Sequence, residues 1–188
     1  WRVTQMKDKQ PGNRRRFATR AIHAGQEPEP ATGAITVPIF QTSTYAQTAP
    51  GVHKGYDYSR TDNPTRTALQ NALASLEDAK YGLAFSSGMG AATTTMLLFK
   101  RGDHVISSRD VYGGTYRLFK RVLEGFGLTF SFVETSNLRT VERAVTRRTR
   151  LLWIESPTNP LLRIADIRAA AKIAHRHGAL CLVDNTFA

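Results

Sequence analysis

From Leu83 to the end of the chain, short apolar runs alternate with stretches whose apolar residues recur every three or four positions. The runs predict strands at 83–85, 104–107, 128–133, 151–154 and 179–183, and the periodic stretches predict helices at 90–99, 114–125, 138–147 and 164–177. Strands and helices alternating through short connections imply an α/β fold, with βαβ units wound into a mainly parallel sheet and helices on both faces. Just upstream, Leu69, Ala72, Leu73 and Leu76 repeat at helical spacing. They predict an amphipathic helix over 65–78, with Pro64 near its first turn and its apolar stripe turned to the core. Residues 17–63 read differently, because Glu27-Pro28-Glu29-Pro30, Thr32-Gly33 and Val37-Pro38 scatter breakers too densely for long elements. That pattern predicts an extended arm. Residues 1–16 are polar and basic without an apolar period, and predict a disordered tail. The expected organisation is a tail (1–16), an arm (17–63) and an α/β domain over 64–188.

Composition changes this picture little. The 188 residues, 41% of them hydrophobic, suffice to bury a core. The net charge of +11 raises the possibility of nucleic-acid binding, but residues 1–16 hold six Lys/Arg against one Asp and supply +5 of it. Elsewhere the basic residues fall on helix faces, as with Arg139, Arg143, Arg147 and Arg148, without aromatics that could stack on bases. A solvated or subunit-facing surface is expected, and no nucleic-acid partner. The apolar runs are far shorter than the roughly 18 residues of a membrane span, and the N-terminus lacks the apolar core of a signal peptide, so a soluble, cytoplasmic protein without a membrane partner is expected. The single cysteine, Cys181, excludes a disulfide framework and a cysteine-based zinc site. His175 and His177 are two residues apart, do not share a helical face, and fit the negative end of a helix better than a metal; no metal site is expected.

Candidate chemistry collects where one strand after another ends. Ser86-Ser87-Gly88-Met89-Gly90 is a small-residue turn from a predicted strand into a predicted helix, a place where backbone N–H groups and the positive helix end receive a phosphate. Asp110-Val111-Tyr112-Gly113-Gly114 follows the second predicted strand, Glu155-Ser156-Pro157-Thr158-Asn159-Pro160 the fourth, and Asp184-Asn185-Thr186 the last. In parallel sheets the carboxyl ends of the strands share one edge, where ligands bind. A phosphate cup, an aromatic ring, an amide and a carboxylate together suit a flat, charged aromatic cofactor. Beside a pyridine ring, Asp184 would favour the protonated nitrogen and so a better electron sink, Tyr112 could stack and help move a proton, and Asn159 could donate its amide N–H groups to a ring oxygen. Taken singly, each residue has a plainer alternative: Asp184 as a turn cap and Tyr112 as packing.

Tyr58-Ser59-Arg60 with Asn63-Pro64-Thr65-Arg66, then Ser87-Gly88-Met89, Asp110-Val111-Tyr112-Gly113-Gly114-Thr115, Glu155-Ser156-Pro157-Thr158-Asn159-Pro160 and Val183-Asp184-Asn185-Thr186-Phe187 stand in this order along the chain. Together, from about Phe17 onward, they resemble the pyridoxal-phosphate enzymes of cysteine and methionine metabolism, the group of cystathionine gamma-synthase, cystathionine gamma-lyase and methionine gamma-lyase. The resemblance implies a fold type I cofactor domain, of which 64–188 would be the first part. It implies a phosphate held by Ser87, Gly88 and Met89 and reached by Tyr58 and Arg60 of a neighbouring subunit. It further implies Tyr112 stacked on the ring, Asn159 on the cofactor oxygen, Asp184 on the pyridine nitrogen and Thr186 against the ring, with Tyr112 also the candidate catalytic residue. A planar, permanently charged guanidinium suits Arg60 for phosphate. The implied substrates are sulfur amino acids or activated homoserine, the implied reactions γ-replacement and γ-elimination, and the implied assembly a homotetramer of dimers sharing active sites, with the arm on a partner. An O-acetylhomoserine sulfhydrylase-like enzyme is an alternative within this chemistry; a basic α/β binding module is the non-enzymatic one.

One departure stands out. The family attaches its cofactor to a lysine in a Ser-x-Thr-Lys segment, and none of Lys7, Lys9, Lys54, Lys80, Lys100, Lys120 and Lys172 lies in one. The resemblance therefore implies an N-terminal fragment of such an enzyme, inactive by itself. Asp62, where the family most often has glycine, is a smaller departure.

Overall fold

A computed structural model describes residues 16–188, which fall into two compact units, one ending at Phe85 and the other spanning Ser86–Ala188. The tail expected at 1–16 lies, apart from Arg16, outside the described residues.

The first unit contains α1 (Phe17–His23), the short antiparallel strands β1 (Gln47–Ala49) and β2 (Val52–His53), and α2 (Pro64–Leu76). The breaker-rich stretch before α2 buries none of its described apolar side chains, and Ile39 is 86% exposed. Asn63 starts α2 by accepting the Thr65 N–H (2.9 Å), with Pro64 inside the first turn. The helix forms where expected, but its burial corrects the sequence reading. Thr67, Gln70, Ala74 and Ser75 face inward, whereas Leu69 and Leu73 are 51% and 45% exposed. Close backbone approaches and hydrogen bonds make the inward face. Thr67 Oγ1 donates to Asp62 (2.9 Å), and a Cβ on Gly25 would lie 2.7 Å from the Ala68 carbonyl oxygen. Asp62 also accepts the Asn63 N–H, so the unexpected carboxylate helps to cap this turn.

The strand expected at 83–85 is absent. A strand needs a backbone ladder, and here the Ala84 N–H is taken by the Gln70 side-chain oxygen (3.0 Å). Gly82 lies so near α2 that a Cβ would come within 2.1 Å of the Gln70 carbonyl oxygen. The segment is held along the helix instead of entering a sheet.

The second unit is α/β. It runs α3 (Gly88–Met96), β3 (His104–Ser108), α4 (Gly113–Arg117) passing into a π-helical stretch (Leu118–Leu123), β4 (Thr129–Val133), α5 (Leu138–Ala144), β5 (Thr149–Glu155), α6 (Ile167–Arg176) and β6 (Leu180–Asp184). The four strands are parallel in the order β4-β3-β5-β6. Alternation along the strands builds two cores. Val105, Leu151 and Trp153 pack with Ala92, Met96, Phe119 and Leu123 on one face. Ile106, Leu152 and Ile154 pack with Val141, Ala170 and Ile173 on the other. From β3 the chain moves outward to β4 and then returns to the far side of β3 as β5. The order of connection therefore reverses between β3 and β5, and the crevice at their carboxyl ends is where such sheets take ligands.

Candidate active site

That crevice is a cavity of about 660 Å³, formed entirely by the second unit. One wall is the start of α3. Ser87 caps the helix by accepting the Gly90 N–H (3.0 Å), and the first-turn N–H groups of Gly88 and Met89 have no helical acceptor to turn to. Nothing lies within 4 Å of where a Gly88 Cβ would stand, so the backbone is open to an approaching anion.

The second wall follows β3. Gly114 lacks the Cβ that would lie 2.4 Å from Tyr112 Cε1 and 3.1 Å from Met89 Sδ, which lets the Tyr112 ring fold over the start of α4 towards the α3 wall. The third wall combines the loop after β5, carrying Asn159, with the end of β6, carrying Asp184 and Thr186. Asp184 Oδ1 accepts both the Thr186 N–H (3.1 Å) and the Thr186 hydroxyl (2.6 Å). It is therefore a turn cap as well as a cavity carboxylate. Asn185 closes the corner by donating to the Ser156 carbonyl oxygen (2.6 Å).

Between the second and third walls lies Glu155, the last residue of β5, only 3% exposed. Its Oε2 accepts the Tyr112 N–H (2.8 Å), and its Oε1 the Asn159 N–H (2.7 Å). Burial raises its pKa; the two N–H groups oppose that shift, and the carboxylates of Asp184 and Asp110 reinforce it. Asp110 in turn accepts the Thr158 hydroxyl (2.6 Å) and lies 3.7 Å from Arg163, which also pairs with Glu134. In the sequence Glu155 opens the motif Glu155-Ser156-Pro157-Thr158-Asn159-Pro160, and its role emerges only from the fold. The available signal was a carboxylate ending the apolar run Leu151–Ile154, where a buried charge must find donors.

Ser87, Gly88, Met89, Tyr112, Asn159, Asp184 and Thr186 thus line one cavity. Tyr58 and Arg60 belong to the first unit, where the Arg60 guanidinium lies 5.1 Å from the centre of the Tyr58 ring. Among the described residues there is no group of three or more His, Cys, Asp or Glu that could hold a metal, and no helix is long and apolar enough to cross a membrane.

Residues 18–188 match the family described as Cys/Met metabolism PLP-dependent enzyme. The chain belongs to this family. It is 61% identical over 172 residues to a probable cystathionine gamma-synthase of Herpetosiphon aurantiacus, covering 92% of this chain and 54% of that protein. It is 52% identical over 171 residues to a cystathionine beta-lyase of Coxiella burnetii, covering 90% and 44%. Among solved structures it is similar to metB from Corynebacterium glutamicum, with TM-score 0.88, 46% identity, and coverage of 91% of this chain and 45% of the other. It is equally similar to cystathionine gamma-lyase from Lactobacillus plantarum complexed with L-serine, with TM-score 0.88, 49% identity, and coverage of 93% and 45%. The chain spans about half the length of these relatives. Family members depend on pyridoxal phosphate, and the donor set of the cavity fits that group: an open helix start for its phosphate, a ring to stack on, an amide, and a carboxylate for its nitrogen.

Proposed function

We propose that the protein carries out pyridoxal-phosphate-dependent γ-replacement or γ-elimination on sulfur amino acids or activated homoserine, as a cystathionine gamma-synthase or gamma-lyase. The observation that carries this reading is the convergence of the α3 start, Tyr112, Asn159 and Asp184 on one cavity. The relative named a beta-lyase favours β-elimination as a second reading.

In this mechanism the Gly88 and Met89 N–H groups and the Ser87 side chain would hold the phosphate at the positive end of α3. Tyr112 would cover one ring face, and its hydroxyl would carry a proton at the substrate's reacting carbons. Asn159 would donate its amide N–H groups to the ring oxygen. Thr186 occupies one oxygen of Asp184 and leaves the other to accept the pyridinium N–H. When bound, the cofactor would supply an electron-poor ring, an electron sink beside the substrate's reacting carbons. The Asp184 carboxylate increases that capacity by keeping the ring nitrogen protonated. Tyr58 and Arg60 would reach the phosphate from a neighbouring subunit of a tetramer in the cytoplasm.

The test uses the protein expressed from its complete reading frame. With pyridoxal phosphate it should develop a visible band that borohydride abolishes. From cystathionine it should release oxobutyrate if γ-cleavage dominates and pyruvate if β-cleavage does; with activated homoserine and cysteine, a synthase should make cystathionine. The 188-residue chain alone should give no turnover. Absence of the band in the complete protein would sink the reading.

A further inference from the structure

Two loops deliver side chains to the cavity from β3 and β5, and each is anchored through one backbone N–H to the same carboxylate. Glu155 Oε2 accepts the Tyr112 N–H (2.8 Å) and Oε1 the Asn159 N–H (2.7 Å), so each oxygen holds one loop. The main chain of Glu155 is fixed as well. The Glu155 N–H donates to Ser108 Oγ (3.0 Å), which is bonded to Thr135 Oγ1 (2.8 Å), tying β5 to the end of β3 and to the loop after β4. On its other side Glu155 is the ladder partner of Asp184. Two carboxylates thus end adjacent strands of one cavity, and among the contacts of the described residues no cationic side chain pairs with either. Burying a carboxylate costs free energy that a pair of charge-assisted hydrogen bonds offsets. Connecting two loops would not by itself call for a charge, and the Thr158–Asp110 bond (2.6 Å) already joins them.

We propose that Glu155 is a positioning residue of the site: it fixes the Tyr112 and Asn159 loops at one separation and so sets where the stacking ring and the amide stand relative to Asp184. This rests on the cofactor reading and adds to it the residue that sets ring orientation. Asp184 would address the ring nitrogen directly; Glu155 acts through the main chain of its two neighbours.

The experiment compares Glu155→Gln with wild type in the protein expressed from its complete reading frame, titrated with pyridoxal 5'-phosphate. Glutamine keeps the shape and offers one acceptor oxygen, so its NH2 group must face one of the two N–H donors. The expected result is a cofactor Kd raised about tenfold or more, as for loss of a hydrogen bond to a charged group. The visible circular dichroism per bound cofactor, which reports how the ring is held, should change as well. A variant with wild-type affinity and wild-type visible dichroism overturns the proposal, even if its melting temperature falls. If Glu155→Gln does not fold, amide hydrogen exchange in the wild-type protein decides: the Tyr112 and Asn159 amides should be protected although both precede or interrupt regular structure, and rapid exchange of both overturns the anchoring. Wild type that binds no cofactor sinks the functional reading instead, while the exchange measurement still judges the anchor.

Discussion

At the scale of single residues, much of the site depends on atoms that are missing. Gly114 has no side chain of its own, yet it fixes where the Tyr112 ring can lie, because a methyl group there would overlap Cε1 and crowd Met89. Gly114→Ala should therefore cost about 1–3 kcal/mol of stability, the usual range for overpacking, and weaken cofactor binding by displacing the ring. Thermal melts and cofactor titration check the two effects separately. Unchanged affinity would mean that the Tyr112 ring position does not matter for binding. The cavity-lining residues were legible in sequence because each sits just past a strand or at a helix start, where side-chain chemistry follows from position. Glu155 was not legible, because what matters is which two N–H groups lie opposite its oxygens.

At the scale of elements, the strands and helices after residue 100 lie close to where hydrophobic periodicity put them, with ends shifted by a few residues. The failures have physical causes. The segment 83–85 is apolar enough for a strand, but pattern alone does not supply a ladder partner, and Gln70 captures its N–H. The stripe of α2 has helical period, but periodicity cannot tell an inward face from an outward one when the inward contacts are main-chain approaches. The helix expected over 114–125 forms as α4 plus a π-helical stretch, a change of hydrogen-bond spacing that carries no compositional mark.

The far end of the sheet offers an element-scale test. His104 Nδ1 meets Thr149 Oγ1 (2.8 Å) and its Nε2 meets Ser131 Oγ (2.9 Å), joining β3 to both neighbours, and burial lowers its pKa. The folded state then resists protonation while the unfolded chain accepts a proton near the ordinary histidine value of about 6.5. The stabilisation is present above that value and is lost as pH falls through it. Melting temperature should drop between roughly pH 7 and pH 5 more steeply in wild type than in His104→Gln. Equal slopes would show that His104 is not the titrating group.

At the scale of the whole molecule, the first unit presents what a subunit contact would use. Ile39 is almost bare, Leu69 and Leu73 point outward one helical turn apart, and Arg60 is exposed beside Tyr58. If Arg60 serves a neighbour's phosphate, Arg60→Ala and Asp184→Asn damage different halves of each shared site. Either variant alone should be nearly inactive. Randomly exchanged subunits of the two should recover about a quarter of wild-type activity, since each intact site needs one subunit of each kind in the correct place. No recovery in mixed oligomers demonstrated by mass would assign Arg60 to its own subunit or to no site.

The position of β5 inside the sheet has a mechanical consequence. It is laddered to β3 on one side and to β6 on the other, and Glu155 at its end ties the Tyr112 and Asn159 loops to it. The part of the cleft that these two residues form is therefore a stiff jaw, and a ring lying against Tyr112 meets a surface that does not yield. Under heat or denaturant that jaw should hold its shape for as long as the centre of the sheet stands.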